Sequence, residues 1–296
     1  ISGVNCGSSL YASNNDFNDK SEFTISIEGC IFQNNIGVGE GGWISISSNN
    51  LGFLKDSQFI NNSVIKKELS KANGGGLCIY QRNEMIITNI TFKDNKSENN
   101  GGGLNIIFNG VDKYYPLFVE NCTFIRCTST NGGGISTTYE KLQEEIKRNG
   151  YFYVDKCQFI ECCSIQGGAI NTFQNEYSIE EETNISNCHF DRCRGCKGGC
   201  IFSQSFKFNL ENSTFKYNTN YEEDKIQILS LIHITSYIEG KESFSSIFNC
   251  LFTQNSIPII ESSNNGILIF DQSTIENCDI KYMVKDGDNL WNIGKK

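Results

Sequence analysis

Three cysteine pairs carry the clearest chemical spacing in this chain. Cys122/Cys127, Cys157/Cys162 and Cys188/Cys193 repeat one C-x4-C pattern at equivalent places in three consecutive repeats, each pair bracketing a phenylalanine. Thiols so placed can close disulfides, hold a soft metal or fill a core as small apolar groups. A disulfide across the corner within each repeat is one reading. Bridges between repeats are another, because Cys122, Cys157 and Cys188 form one column and Cys127, Cys162 and Cys193 a second. Three thiols in a column would leave one unpaired, which favours the within-repeat pairs. Cys250 and Cys278 read as column neighbours and candidates for an inter-repeat bridge. The remaining readings are a ladder of buried reduced thiols and a zinc site. Cys188, His189, Cys193, Cys196 and Cys200 crowd together, but no paired C-x2-C spacing occurs and His189 should point outward, so no metal is assigned. With 14 cysteines in the chain, an oxidising compartment is the working expectation.

Other reactive residues are sparser. Glycan cleavage needs two or three carboxylates on one face, or a base beside a charged sugar. Glu120 and Asp155 are an acidic pair in adjacent repeats, yet their column otherwise reads as a solvated stripe, so no catalytic residue and no cofactor is assigned. Arg126, Glu161 and Arg192 read as a stack of alternating charge. His233, in an apolar run, reads as packed or exposed without chemistry. N-x-S/T sequons occur at Asn61, Asn89, Asn95, Asn121, Asn184 and Asn212. Asn61 and Asn184 read as the better acceptors, because the others fall in columns where stacked asparagines are expected to hydrogen-bond.

What must position these residues is a repeat. Residues 121–135, NCTFIRCTSTNGGGI, recur in altered form along the chain. Aligned on the aromatic, the copies centre on Phe32, Phe59, Phe92, Phe124, Phe159, Phe190, Phe215 and Phe252, with Ile280 in the same role. The gaps run from 25 to 37 residues. An aliphatic residue stands five places before each centre, and Asn or Cys three places after each one except the last, where Met283 breaks the column. Glycine motifs follow the first six, as in Gly74-Gly75-Gly76-Leu77 and Gly132-Gly133-Gly134-Ile135. A period of this length built from short β-branched runs and Gly/Asn punctuation indicates one solenoid coil per repeat. Ten-residue amphipathic runs, which helical solenoids require, are absent from the repeat.

The expected fold is all-β, a parallel β-helix of about ten coils with loop insertions. Alternation puts Val119 inside, and a corner at Asn121 shifts the phase so that Cys122 and Phe124 also point inward. Like residues then stack about 4.8 Å apart, and ten coils make a rod roughly 50 Å long. The domain reading is one repeat domain over residues 1–284, with residues 285–296 a cap or a link to a further segment.

The F-x-x-N and G-G-[AILV] motifs resemble the polymorphic outer membrane protein (Pmp) repeats of autotransporter adhesins. The residues carrying the resemblance are Phe32 with Asn35, Phe59 with Asn62, Phe92 with Asn95, Phe215 with Asn218 and Phe252 with Asn255, together with the glycine motifs. Three central copies depart by carrying Cys in place of Asn. The resemblance implies a right-handed β-helix at a cell surface, often adhesive, with no catalytic residues.

Composition agrees with a rod. The chain has 296 residues, 21 of them Phe and only two Pro, which suits a ladder that needs its N–H groups. A net charge of −9 argues against nucleic acid as partner. No apolar run is long enough to span a membrane. Insertions at 64–72, 109–116, 139–148 and 174–182 interrupt the pattern, and three of the four follow the glycine strand, so they should emerge on one side. The stretch 139–148 reads as a short helix with Leu142 and Ile146 on one face. Those two, with Trp43, Tyr114 and Tyr115, are the interface candidates. The function expected is that of a non-enzymatic extracellular or cell-surface glycoprotein segment, structural or adhesive. It would contact protein partners, copies of itself or cell-surface glycans through coil ends and insertions, and could belong to a filament. A carbohydrate-active β-helix enzyme, a polysaccharide lyase or hydrolase, is the alternative.

Overall fold

The computed structural model describes residues 10–13, 25–38, 44–48, 52–66, 72–81, 85–108, 115–139, 150–173, 182–219, 230–235, 243–257, 259–263, 266–278, 284–286 and 289–291. Among these the regular structure is entirely β, and the strands stack into a parallel β-solenoid. Its first face holds nine strands, from Ile25–Glu28 and Gly52–Lys55 through Tyr115–Glu120 and Gly150–Asp155 to Gly266–Asp271. The second, shorter face also holds nine, from Ile31–Gln33 through Thr123–Ile125 to Thr274–Glu276, so these faces have nine rungs against the about ten coils expected. The third face runs from Leu10–Ser13 through Leu104–Phe108 and Ile135–Tyr139 to Val284–Asp286, where Asn289–Trp291 adds antiparallel. That last parallel strand straddles the boundary expected at residue 284. Ile36–Val38, Ser63–Ile65 and Lys96–Ser97 form part of a fourth narrow strip, with Cys163–Gln166 pairing Arg194–Lys197 further along.

Two corner columns explain how an alternating strand keeps its apolar residues inside through sharp bends. All 17 described non-glycine residues with positive φ lie three before or two after the central residue of a repeat. The first column includes Asp56, Asn89, Asn121, Lys156, Asn187 and Asn212; the second includes Asn34, Asn61, Asp94, Arg126, Glu161 and Arg192. A left-handed residue reverses the facing of the residues after it, and in this way Val119, Cys122, Phe124 and Cys127 are all buried within one coil. Asn and Asp tolerate this conformation; Lys156 and Arg126 adopt it at a cost of about 1–2 kcal/mol. At the third corner a glycine is required. Gly132 has φ +64°, and a Cβ on Gly133 would stand 2.7 Å from Cys163 N and closer still to Gly168 O, both in the next rung.

The core is a stack of rings. Phe32, Phe59, Phe92, Phe124, Phe159, Phe190, Phe215 and Phe252 lie in register, with successive centroids 4.5–5.1 Å apart and planes within 17°. The ninth place belongs to Ile275, which pairs with Phe252, and not to Ile280. Residues 272–275, QSTI, repeat NSTF of 212–215, whereas NCDI of 277–280 only imitates NCTF of 121–124. The aromatic Phe270 stands where other coils carry an aliphatic residue, which hid the correct register. Ile280 itself lies outside the described residues. Most of the stretch 139–148, expected to form a short helix, lies outside them as well; its first residue, Tyr139, ends the strand Ile135–Tyr139.

Candidate functional site

The cysteines sit where other coils carry serine or asparagine. In the column two before the centre stand Cys30, Ser57, Ile90, Cys122, Cys157, Cys188, Ser213, Cys250 and Ser273. Here thiol and hydroxyl make the same bond: Ser57 and Ser213 Oγ donate to the carbonyl two residues back at 2.8 Å, and Cys122 and Cys188 Sγ do so at 3.2 and 3.1 Å. Three after the centre the exchange is between Asn and Cys. Asn62 and Asn95 Nδ2 donate to Phe32 O and Phe59 O at 2.9 and 2.7 Å; Cys127 and Cys162 Sγ donate to Phe92 O and Phe124 O at 3.4 and 3.5 Å. Asn218 and Asn255 then resume the amide version.

None of the expected disulfides is present among the described residues. Every described cysteine is a free thiol. Cys122 and Cys127 belong to different columns with Phe124 between them, and thiol contacts run along the columns, save one from Cys193 to Cys200 of the glycine motif. Cys122 meets Cys157, which meets Cys188; Cys127 meets Cys162, Cys162 meets Cys193, and Cys193 meets Cys200. Burial pushes the Cys122, Cys127, Cys157, Cys162 and Cys193 thiols well above their usual range, and that of Cys250 to about 11. Such thiols are poor nucleophiles. Cys278 hydrogen-bonds Phe252 O and so lies three after Ile275, in the Asn/Cys column, while the neighbour of Cys250 is Ser273. Cys250 and Cys278 therefore share no column. Among the described residues no group of three or more His, Cys, Asp and Glu is arranged to hold a metal ion.

The acidic pair is also reassigned. Glu120 and Asp155 are register neighbours on the first face. Asp155 is occupied, however, accepting hydrogen bonds from Ser186 Oγ at 2.7 Å and Asn187 Nδ2 at 2.6 Å and lying 3.1 Å from Lys156 Nζ. Partial burial alone would raise its pKa; these donors outweigh it and hold the carboxyl below the usual value. A carboxyl so held is ionised at neutral pH and unsuited to be a general acid. The charge stack differs from expectation in one partner: Arg126 clasps Asp94 at 2.7 and 2.9 Å, while Arg192 takes Glu161 at 3.1 Å and its neighbour Asp191 at 2.8 Å. Asp94, at the same left-handed corner one rung earlier, presents both carboxylate oxygens to the Arg126 fork.

The outer side of the first face carries a row in register: Phe53, Ile86, Phe118, Tyr153, Asn184, Asn209, Ser246 and Ile269. Phe118 and Tyr153 stack at 5.1 Å, so that each ring covers one face of the other. Asn184, expected to be a free acceptor of sugar, is within this row. Its Nδ2 donates to Glu182 at 3.2 Å and its Oδ1 accepts from Asn209 at 2.8 Å. Asn61, the other expected acceptor, is a corner residue whose Nδ2 donates to Asn34 at 2.9 Å. Both asparagines thus belong to ladders that sequence reading had not recognised as such.

A row on the third face was missed altogether. Cys78, Asn105, Ser136, Asn171, Phe202, His233 and Glu261 align rung by rung. They alternate with core residues such as Leu104 and Ile106, and all are buried. His233 stacks on Phe202 at 5.2 Å and meets Glu261 at 3.1 Å. The signal was available: IHIT of 232–235 aligns with IESS of 260–263 once strands without glycine are matched on their isoleucines. Asn105 Oδ1 and Asn171 Oδ1 have no hydrogen-bond partner among the described residues. Of the interface candidates, Trp43, Tyr114, Leu142 and Ile146 lie outside the described residues, and Tyr115 opens the strand Tyr115–Glu120. No described helix is long and apolar enough to cross a membrane. Comparison with family models, with curated proteins and with solved structures finds no match.

Proposed function

We propose that the chain is a non-enzymatic structural or adhesive rod, acting outside the cell or at its surface as a segment of a glycoprotein, and contacting protein partners, further copies or cell-surface glycans. The observation that carries this reading is the commitment of polar side chains to ladders between rungs. Asp155 is bonded to Ser186 and Asn187, Arg126 to Asp94, and Glu182 to Lys207 at 2.9 Å. Glycan cleavage needs a carboxyl left free to move a proton, and the pair Glu120/Asp155 lacks that freedom on one side. The carbohydrate-active alternative is weakened accordingly. The Pmp-like motifs favour adhesion at a surface. The buried free thiols are compatible with an oxidising exterior, because burial suppresses the thiolate that oxidants attack.

The reading is tested with intact protein on cells and on acidic and neutral polysaccharides. Saturable binding without release of reducing or unsaturated ends is the expected outcome. Turnover that disappears in Glu120→Gln would replace the scaffold with the enzyme.

A further inference from the structure

We infer that Asn121 and Asn212 are the asparagines this fold presents for N-linked sugar, an inference that rests on passage through a secretory pathway as proposed above. A sugar attached to the chain before a coil closes must still be accommodated after it closes, so the folded environment of each sequon sorts the candidates. Asn95 is excluded. It is fully buried, its Nδ2 donates to Phe59 O at 2.7 Å, and its Oδ1 accepts from the backbone and side-chain nitrogens of Asn62 at 3.0 and 3.1 Å. A glycan there would open the solenoid. Asn184 lies mid-strand with both amide atoms engaged and with Tyr153 and Asn209 on the adjoining rungs, about 4.8 Å away on either side. Asn61 and Asn89 are exposed at corners, but each Nδ2 is held by the previous rung, at 2.9 Å from Asn34 Oδ1 and 3.1 Å from Asp56 Oδ1.

Asn121 and Asn212 differ from all four. Both are exposed, with φ of 50° and 49°, and their backbone N–H groups are satisfied by Asp155 O and Phe248 O. Among the described residues the side chain of Asn121 makes no hydrogen bond, and that of Asn212 only accepts one, from Asn249 Nδ2 at 2.8 Å. In each, Nδ2 is uncommitted. The intervening residues Cys122 and Ser213 turn inward, and the sequon hydroxyls Thr123 and Thr214 begin second-face strands. Modification would join Nδ2 to the anomeric carbon of an oligosaccharide carried on a lipid pyrophosphate. The bond from that carbon to the pyrophosphate oxygen breaks, the amide loses one proton, and the lipid pyrophosphate leaves. The remaining amide proton keeps Nδ2 a donor.

The two positions share one corner column and lie three rungs apart, about 14 Å along the rod. Sugars there would cover the edge between the first and second faces.

The test is site occupancy. The full chain is secreted from a eukaryotic host behind an added signal sequence, and glycopeptides of the folded, secreted fraction are measured by mass spectrometry. Occupancy at Asn121 and Asn212, none at Asn95, and loss of one glycan mass in each of Asn121→Gln and Asn212→Gln is the expected result. Folded, secreted protein bare at Asn121 and Asn212, or modified only at Asn61 or Asn184, overturns the inference. If the recombinant protein is occupied at both sites while protein from its natural source carries no sugar, the site assignment stands and the secretory reading falls.

Discussion

At the scale of residues, the account rests on equivalence. Cys127 does for Phe92 O what Asn95 does for Phe59 O, at 3.4 and 2.7 Å. Cys127→Asn should therefore leave the unfolding free energy measured by guanidinium denaturation within about 1 kcal/mol of the parent, whereas Cys127→Val, with similar volume and no donor, should cost about 1–3 kcal/mol. Equal losses in both would show that the thiol contributes packing alone. Asp155 gives a second expectation. Its folded pKa is lowered, so the stability it contributes is fully present above its unfolded value of 3.8 and is lost as pH falls through the lower folded value. Asp155→Asn should flatten the acid limb of the denaturation curve in that window, and carboxyl NMR titration should find Asp155 more than half ionised at pH 3.8. Sequence reading placed Cys127 and Asp155 in the right columns but not with the right partners, and it put Cys278 in the column of Cys250, where Ser273 stands. Spacing shows which residues share a column, whereas hydrogen-bond direction depends on which carbonyls the strands leave free.

At the scale of elements, the period was legible and its phase mostly so. Phe32 through Phe252 stack as their spacing implies, because an aromatic at one inward position has nowhere to go but onto its neighbour a rung away. The last rung was misread at Ile280 because NCDI satisfies the same local pattern as QSTI, and only pairing with Phe252 decides between them. Strands without the glycine motif, such as Ile232–Thr235, hid the row that ends at His233 and Glu261 for the same reason. The glycines themselves are unambiguous. In Gly133→Ala the added Cβ meets Cys163 N at 2.7 Å and Gly168 O at a shorter distance, both backbone. Rungs would have to separate, and thermal denaturation should show a loss of about 1–3 kcal/mol or more. A neutral outcome would mean that the corner is looser than described.

At the scale of the molecule, the rod is a continuous stack in which each coil contacts only its neighbours, so its stability adds rung by rung. Part of its outer surface is spent on that stacking, in the Phe118–Tyr153 rings and the Asn184–Asn209–Ser246 ladder. The central claim is that this surface is a scaffold and not a catalytic groove. Electron cryo-microscopy of protein from its natural source tests it most directly. The account predicts rods joined end to end or bound to a partner through the insertions, with Asp155 held by Ser186 and Asn187. A monomeric rod with a sugar lying in a groove against freed Glu120 and Asp155 carboxyls would contradict it.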